Sequence, residues 1–274
     1  MYDLSEKTLL VTGSSKGIGA EIVRKVGAAG GHVIAHYGSD RDGAIEACHS
    51  IPESKKLFVQ ADFDDLREVE QLWDKAQKWR GKIDVLINNA AIMLWDGGFD
   101  VPLDIWDSTW KKTFGVNVLA PARLLRRAVQ HFQDVGGGTI ITLSSWAAQK
   151  GVTNPDTIAY GSSKAAIHSA TQTVARGFAK QNILAYSIAP GVVRTRLSEE
   201  FANTQGGEQK ITDSLSMGEW VPPEEVAELV AYLATGNVRH LSGATLDING
   251  ATYIRFWDDL SFASLKQAEK LAWI

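Results

Sequence analysis

Short apolar runs alternate with stretches of helical periodicity along almost the whole chain. Seven of these runs predict buried strands, at residues 7–12, 32–37, 56–61, 83–87, 138–143, 183–188 and 244–248. Six amphipathic stretches predict helices, at residues 18–29, 41–49, 65–79, 104–133, 158–180 and 223–235. Because strands and helices alternate in this way, we expect βαβ units that build a parallel sheet with helices on both faces.

Two segments interrupt this alternation. Pro121 lies inside the helical stretch 104–133, where a proline removes a backbone hydrogen bond and clashes with the preceding turn, so the helix should kink or split there. Residues 195–220 have no clear periodicity and contain the pair Gly206 and Gly207. Because a loop of this length inside a compact domain is usually a lid or is disordered, we expect one of these two for residues 195–220.

The chain is expected to form one domain followed by a tail. Its 274 residues suit one large α/β domain, which we assign to residues 1–251. Residues 252–274 follow the last predicted strand and carry Trp257, Phe262 and Trp273. These aromatic side chains favour a helix that packs on the domain or on a neighbouring subunit.

Composition and charge argue against several classes of protein. Apolar residues make up 45% of the chain, and the formal net charge of −4 argues against a nucleic-acid-binding surface. The single cysteine, Cys48, forms no internal disulfide and is typical of a reducing compartment. The first strand begins by residue 7, before which no signal peptide fits, and no apolar run approaches the ~18 residues of a membrane span. We therefore expect a cytoplasmic protein without nucleic-acid or membrane partners.

The first predicted strand runs into a glycine-rich turn and then into a helix. Gly13, Gly17 and Gly19 let the backbone turn tightly and approach a ligand closely. The helix N-terminus beyond them presents free N–H groups and the positive end of a dipole, which suits a pyrophosphate. The spacing Gly-x-x-x-Gly-x-Gly differs from the common Gly-x-Gly-x-x-Gly pattern and from a Walker loop. A tight turn without a ligand is the alternative, but strand, glycines and helix in register favour nucleotide binding.

A tyrosine and a lysine stand four residues apart in the predicted helix 158–180. Tyr160 and Lys164 therefore share one helix face. A nearby ammonium favours the phenolate, so it should lower the tyrosine pKa from about 10 and make Tyr160 a general acid or base. Such a pair also arises by chance on a solvated helix face, and it is the glycine-rich turn upstream that favours the functional interpretation.

Further short motifs occur in a fixed order, and together they carry a family resemblance. They are the segment Thr12–Gly19, Asp62, Asn88-Asn89-Ala90, Asn117, Ser145, Tyr160, Lys164 and Pro190-Gly191. In this order and spacing the chain resembles the classical short-chain dehydrogenase/reductase family over about residues 5–250. The resemblance implies a single-domain α/β fold with a doubly wound, seven-stranded parallel Rossmann-type sheet. It also implies a nicotinamide cofactor and the interconversion of a secondary alcohol and a ketone, in a homotetramer or dimer assembled through the helices at 104–133 and 158–180.

The chain departs from the family pattern at a few positions. Ala91 stands where glycine usually follows Asn-Asn-Ala, and residues 247–251 replace a more usual Asp-Gly-Gly. Ser145 lies 15 residues before Tyr160, two more than is common, so the intervening loop should bulge. Ser144 is the competing candidate, and strand alternation places the two serines on opposite faces. We choose Ser145, because the second serine of such a pair is usually the functional one in this family.

The resemblance assigns a role to each of four catalytic candidates. Tyr160 exchanges a proton with the substrate oxygen, and Ser145 hydrogen-bonds and orients that oxygen. Lys164 lowers the pKa of Tyr160 and binds the nicotinamide ribose. Asn117 holds a water that links Lys164 to solvent, although it could instead only hydrogen-bond within its helix.

The resemblance also places the cofactor along the chain. Asp62 is expected to face the adenine amine, with Asn89 and Ala90 beside the adenosine, and Val193 and Thr195 to meet the carboxamide. The full set of expected cofactor-binding residues is Gly13, Ser15, Lys16, Gly17, Ile18, Gly19, Tyr37, Gly38, Ser39, Asp62, Phe63, Asn89, Ala90, Ala91, Tyr160, Lys164, Pro190, Gly191, Val193 and Thr195.

The end of the second strand favours NADP(H) as the cofactor. Enzymes that use NAD usually place a carboxylate there to bind the adenosine ribose, and this chain has Tyr37 instead. Ser39 is a donor for a 2′-phosphate, and Lys16 adds positive charge. Asp40 or Asp42 would favour NAD, unless these aspartates only cap the following helix.

The substrate is the least determined part of this interpretation. Trp95, Trp146 and Trp220 lie in segments expected to wall the pocket, which favours an apolar or ring-shaped small molecule unless they only pack in the core or lid. Many relatives are 3-oxoacyl-carrier reductases, which need basic residues to dock an acidic carrier protein. The stretch 133–138 has none, although Arg123, Arg126 and Arg127 are near in sequence, so this alternative is disfavoured.

Three other classes fit the sequence less well. A redox sensor that has lost its chemistry should have a broken catalytic set, whereas this set is complete. An isomerase or dehydratase of the extended branch of the family favours a different glycine spacing and a longer C-terminal domain. A metalloenzyme is disfavoured because the six histidines form no motif such as His-Glu-x-x-His, and His32 and His36 lie in a strand where they should only flank the sheet. We therefore expect no metal.

Overall fold

The computed structural model describes residues 2–255, in which seven strands form one parallel sheet. The strands are β1 (Thr8–Val11), β2 (His32–Tyr37), β3 (Lys56–Gln60), β4 (Val85–Asn88), β5 (Gly138–Leu143), β6 (Ile183–Pro190) and β7 (Thr245–Ile248). Their order across the sheet is β3-β2-β1-β4-β5-β6-β7, so the direction of winding reverses between β1 and β4. This confirms the predicted doubly wound, seven-stranded Rossmann-type sheet. β6 extends beyond its predicted end at residue 188, because its backbone pairs with β7 as far as Pro190.

Helices connect the strands and cover both faces of the sheet. They are α1 (Gly17–Ala28), α2 (Arg41–Ala47), α3 (Leu66–Arg80), α4 (Leu103–Phe114), α5 (Ala120–Val135), α6 (Ala147–Lys150), α7 (Ile158–Phe178), α8 (Arg196–Thr204), α9 (Glu208–Ser214) and α10 (Pro223–Ala234). The six predicted helical stretches correspond to α1, α2, α3, the pair α4 and α5, α7 and α10.

The sheet has an apolar core on each face. Alternation along β1 directs Leu9 and Val11 into one core and Leu10 into the other. α1 and α10 cover the first face, where Val26 and Val230 are fully buried. α3, α5 and α7 cover the second. Because the central strands are buried on both sides, they appear in the sequence as almost uninterrupted apolar runs.

The long helix predicted at residues 104–133 is split, as Pro121 indicated. α4 and α5 are joined by one turn of π-helix over residues 115–119, where the N–H of Ala120 bonds to the carbonyl oxygen of Gly115. Pro121 occupies the first turn of α5, where its missing N–H is tolerated. The wider turn contains Asn117, one of the predicted catalytic residues.

The prediction of a lid or disordered loop at residues 195–220 missed the regular structure there. Two short helices, α8 and α9, occupy most of this segment and are separated by Gly206 and Gly207, which have φ values of 98° and 101°. Trp220 is 3% exposed and packs with Ala202 in a small separate apolar cluster. Each helix is too short to give a clear periodic signal, so tertiary packing determines this segment.

The C-terminal end of the described region carries no helix. Residues 252–255 form bends and extended chain, and the rest of the predicted tail lies outside the described residues. The division into residues 1–251 and a packed tail therefore stays a prediction. Within residues 2–255, no helix is both long and apolar enough to cross a membrane.

Candidate active site

The predicted site residues follow the carboxyl ends of six neighbouring strands. Those ends all lie at the same edge of a parallel sheet, where ligands of such folds bind at the point of reversed winding. The residues after each strand are Gly13–Gly19 after β1, Tyr37–Ser39 at the end of β2, Asp62 and Phe63 after β3, Asn89–Ala91 after β4, Ser145 after β5, and Pro190–Thr195 after β6. The topology therefore brings the nucleotide-binding and catalytic candidates to one crevice.

The glycine turn is packed against the segment that follows β4. A Cβ at Gly13 would lie 2.9 Å from the Cα of Ala90, and a Cβ at Gly19 would lie 1.9 Å from the carbonyl oxygen of Gly13. The hydroxyl of Thr12 accepts hydrogen bonds from the backbone N–H groups of Asn89 and Ala90, at 2.9 and 3.0 Å. The side-chain amide of Asn89 donates to the Thr12 carbonyl at 2.8 Å. Only glycine fits these positions, which explains the spacing seen in the sequence.

The N-terminus of α1 fits the pyrophosphate of a dinucleotide. Lys16 at its N-cap makes no side-chain capping bond, and the first turn contains no acidic residue. The dipole of the helix and its first N–H groups are thus left to an anion. The methyl group of Thr195 would lie 3.2 Å from a Cβ at Gly17, so the segment after β6 closes on the same turn. These features fit a nicotinamide dinucleotide laid across the crevice.

The segment after β2 presents exposed cations and hydroxyls beside an aspartate that caps the next helix. The carboxylate of Asp40 caps α2 by accepting from the N–H of Gly43 at 2.9 Å, so it serves the helix, as the capping alternative stated. Ser39 and Lys16 are exposed, and so is Arg41, two residues after Ser39. Within residues 2–255 neither Lys16 nor Arg41 forms a salt bridge. The sequence analysis did not include Arg41 among the candidates, although it stands only two residues after Ser39.

His36, which the sequence analysis did not place in the site, holds the glycine turn through a hydrogen bond. His36 is 3% exposed; its Nδ1 accepts from the N–H of Gly13 at 3.1 Å, and its Nε2 lies 3.0 Å from the carbonyl oxygen of Ala61. Its ring stacks on Phe63, with centroids 4.3 Å apart. Burial lowers the pKa of His36 to about 4, so the ring is neutral and its second nitrogen donates to Ala61. The expectation that His36 only flanks the sheet is wrong, because it fixes the turn to the end of β3.

The two serines after β5 point in different directions. The hydroxyl of Ser144 donates to the carbonyl oxygen of Lys164 at 3.4 Å, against the backbone of α7. The hydroxyl of Ser145 accepts from the N–H of Ala147 at 3.1 Å and lies close enough to the phenol of Tyr160 to lower the pKa of that group in part. The structure therefore brings Ser145 and Tyr160 together. The segment between them forms α6 and a short 3-10 turn over residues 155–157.

Lys164 lies behind this pair of hydroxyls. Its Nζ is 5.7 Å from the centre of the Tyr160 ring and donates to the carbonyl oxygen of Leu143 at 2.7 Å. The residue is 5% exposed, and this burial lowers the pKa of Lys164 to about 8. The ammonium form therefore predominates at neutral pH but is lost at mildly alkaline pH.

The phenol of Tyr160 is not acidified in this arrangement. Burial raises the pKa of Tyr160 above its ordinary value, and the hydrogen bond from Ser145 only partly opposes the effect. The expected lowering by Lys164 is wrong here, because the ammonium is held against the backbone of β5 instead of the phenol oxygen. Tyr160 therefore stays protonated at neutral pH.

Asn117 ties the loop after β4 to the catalytic helix. Its Oδ1 accepts from the N–H of Ile92, and its Nδ2 donates to the carbonyl oxygen of Ile92, both at 2.8 Å. The same Nδ2 donates to the hydroxyl of Ser163 at 3.0 Å, next to Lys164. Both amide hydrogens are thus used within the protein. The water link between Lys164 and solvent stays a prediction.

Three further candidates hold the walls of the crevice in place. Pro190 accepts from the N–H of Trp146 at 3.1 Å, Gly191 donates to Ile248 at 2.9 Å, and Val193 pairs with Val221 in an isolated bridge. Their expected contacts with a carboxamide stay predictions. Among residues 2–255 no group of three or more His, Cys, Asp or Glu side chains could hold a metal ion.

Comparison with known proteins identifies the family. A family profile described as enoyl-(acyl carrier protein) reductase matches residues 13–251. The chain is 36% identical to 3beta-hydroxysteroid dehydrogenase 1 of Eggerthella lenta over 91% of this chain and 95% of that protein, and 31% identical to glucose 1-dehydrogenase 2 of Bacillus subtilis over 91% and 96%. The solved structure of ElxO with NADP bound has a TM-score of 0.80 and 29% identity, over 90% of this chain and 98% of that one. The chain therefore belongs to the classical short-chain dehydrogenase/reductase family and is an oxidoreductase.

Proposed function

We propose that the protein interconverts a secondary alcohol and a ketone on a neutral small molecule, with NADP(H) as the hydride carrier. The observation that carries this proposal is the closeness of the hydroxyls of Ser145 and Tyr160, with the buried ammonium of Lys164 behind them. The pair lies at the same sheet edge as the glycine turn, which fits a dinucleotide. The nicotinamide, when bound, supplies or accepts the hydride.

The two hydroxyls suit the oxygen of a carbonyl that is being reduced. Because burial raises the pKa of Tyr160, its phenol is protonated at neutral pH and is ready to give a proton to that oxygen. Ser145 offers a second donor to the same developing charge. The ammonium of Lys164 has three hydrogens, of which Leu143 takes one, so donors remain for the hydroxyls of a bound ribose.

The chain's own charges favour NADP(H) over NAD(H). Asp40 is engaged in capping α2, while Lys16 and Arg41 are exposed and carry positive charge. A 2′-phosphate would meet these cations, whereas an NAD ribose would find no carboxylate at Tyr37. Bound NADP in the ElxO relative supports the same choice. A ratio of kcat/KM that favours NADH over NADPH would contradict it.

The acid role of Tyr160 is tested by removing its hydroxyl. Tyr160→Phe should lower kcat for ketone reduction by about 100-fold or more, since a positioned general acid contributes about 10²–10⁴. NADPH binding, followed by fluorescence titration, should persist, because the phenyl ring keeps its packing. A Tyr160→Phe enzyme with a tenth or more of wild-type kcat would reject the role.

A second candidate is reduction of an acyl thioester or of its conjugated C=C bond, which the description of the matching family profile raises. Arg123 and Arg127 already pair with Glu70 and Asp74, at 3.1 and 2.6 Å, so of the three arginines only the exposed Arg126 is left to dock an acidic carrier. Cyclohex-2-enone distinguishes the chemistries. We expect the allylic alcohol, whereas cyclohexanone as the product would indicate a C=C reductase.

A further inference from the structure

Two aromatic side chains stack on each other from separate segments that are both anchored to the catalytic crevice. Trp95, in the loop after β4, lies against Phe201 of α8, with ring centroids 5.9 Å apart and 21° between the planes. Both side chains are half-buried. We call this pair the aromatic roof.

The loop that carries Trp95 is fixed at both ends to residues near Tyr160. Ile92 is held by Asn117, which in turn donates to Ser163. Gly97 donates to the carbonyl oxygen of Asp156 at 3.0 Å, four residues before Tyr160. Trp95 lies between these two anchors, so its place relative to the catalytic helix is set by the backbone.

The helix that carries Phe201 is fixed to the other sides of the same crevice. α8 begins directly after Thr195, whose methyl group is next to Gly17 of the glycine turn. Ala202 is 1% exposed and packs with Trp220. Trp146, which follows Ser145, packs against that cluster. The aromatic roof therefore links the loop after β4 to the segments that flank the nucleotide and the catalytic serine.

The two arginines around the start of α8 are paired with carboxylates. Arg196 pairs with Glu200 at 2.8 Å on the exposed side of α8. Arg194 pairs with Glu208 at 2.9 Å, and its guanidinium lies 5.0 Å from the centre of the Trp220 ring. The loop residues 91–95 are all apolar. These walls offer extensive apolar contact and few partners for the hydroxyls of a sugar, which cost free energy when buried without hydrogen bonds.

We propose that the aromatic roof selects flat, apolar, fused-ring ketones and secondary alcohols as substrates, over small acyclic ketones and polyhydroxylated ones. This rests on the proposed function. A second ring extends the substrate from the Ser145–Tyr160 pair towards Trp95 and Phe201, where its faces bury against the indole and phenyl groups. The selectivity should appear in KM, because the roof would contact the substrate equally in the ground state and in the transition state.

The test compares 2-butanone, cyclohexanone and 2-decalone, three neutral saturated ketones of increasing ring number, with NADPH and the full chain. We expect wild-type kcat/KM to rise at least tenfold from cyclohexanone to 2-decalone, and no oxidation of glucose with NADP+. Trp95→Ala and Phe201→Ala should each lower kcat/KM for 2-decalone about tenfold by raising KM. For 2-butanone, kcat/KM should change less than threefold. Trp95→Phe keeps a stacked ring and should retain most of the preference.

Trp79→Ala is the matched control. Trp79 also contacts the ring of another element, His32 at 6.4 Å, but at the opposite edge of the sheet. The Trp79→Ala variant should leave the ratio of kcat/KM for 2-decalone to kcat/KM for 2-butanone unchanged. Equal losses on all ketones, no ring preference in the wild type, or efficient glucose oxidation would each overturn the proposal. If the wild type binds NADPH but reduces none of the ketones, the proposed function itself fails.

Discussion

At the level of single residues, the buried ammonium of Lys164 makes the reaction sensitive to alkaline pH. The pKa of Lys164 is lowered to about 8, and that of Tyr160 is raised, so Lys164 loses its proton first as the pH rises. In the proposed complex, the remaining hydrogens of the Lys164 ammonium bind the ribose of the cofactor, and hydrogen bonds from a charged donor are the stronger ones. Uncharged Lys164 binds the ribose more weakly.

We therefore expect kcat/KM for ketone reduction to fall as the pH rises through about 8. Lys164→Arg keeps its charge throughout this range, because an arginine is effectively always protonated. Its own profile, scaled to its maximum, should lack the decline near pH 8. Steady-state rates between pH 6 and pH 9.5 measure both profiles. A wild-type profile that is flat to pH 9.5 would contradict the prediction.

His36 makes a second residue-level prediction, on stability. Its pKa in the folded protein, about 4, lies below the ordinary value of 6.5, so folding favours the neutral ring. The stabilisation is fully present above pH 6.5 and is lost as the pH falls towards 4. Over that range the wild type should lose up to about 3 kcal/mol of unfolding free energy more than His36→Asn does.

Denaturant unfolding at pH 7 and pH 4 gives this difference directly.

His36→Asn keeps an acceptor for the N–H of Gly13, whereas His36→Leu removes it. NADPH affinity should therefore be highest in the wild type, lower in His36→Asn and lowest in His36→Leu. Equal affinities for the three proteins would show that the glycine turn holds its shape without His36.

At the level of elements, the glycine turn offers a sharp steric test. A Cβ at Gly19 would lie 1.9 Å from the carbonyl oxygen of Gly13, a backbone atom that cannot easily move aside. Gly19→Ala should therefore weaken NADPH binding at least tenfold. Gly177, in the last turn of α7, is the matched control, because a Cβ there meets nothing within 4 Å. Gly177→Ala should bind NADPH normally and melt at the same or a higher temperature, since alanine suits a helix better than glycine by about 1 kcal/mol. A Gly19→Ala protein with wild-type affinity would contradict the packing described here.

The elements that sequence reasoning located are those whose signal is local. β1 is apolar at three of its four positions because it is buried on both faces, and Pro121 marks the boundary between α4 and α5. The segments that it missed depend on distant partners. α8 and α9 are short and are held by Trp220, and the π-helical turn is held by the bonds between Asn117 and Ile92. The local sequence pattern around these residues does not predict the contacts of Trp220 and Asn117.

The candidate site shows the same division. The order of Gly13, Ser145, Tyr160 and Lys164 along the chain indicated which residues meet, because the ends of parallel strands share one edge. The pKa values of these groups could not be predicted from their order along the chain. A spacing of four residues suggested that Lys164 acidifies Tyr160, whereas the ammonium turns to Leu143, and the pKa of Tyr160 is raised by burial. Distance, orientation and desolvation decide a pKa, and a sequence gives none of them.

For the whole molecule, the family resemblance predicts a dimer or tetramer assembled through α4, α5 and α7. Exposed apolar side chains on this side support an interface there, with Leu103 73% exposed and Leu119 52% exposed. Light scattering after size-exclusion chromatography should give a multiple of the 29.8 kDa chain. Leu119→Glu should shift the protein towards the monomer, because an unpaired carboxylate buried in an interface costs several kcal/mol. Ile45→Glu places the same charge on α2, at a side chain that is 39% exposed and away from these helices, and should leave the mass unchanged. A monomeric wild type at micromolar concentration, or equal effects of the two variants, would move the interface elsewhere or remove it.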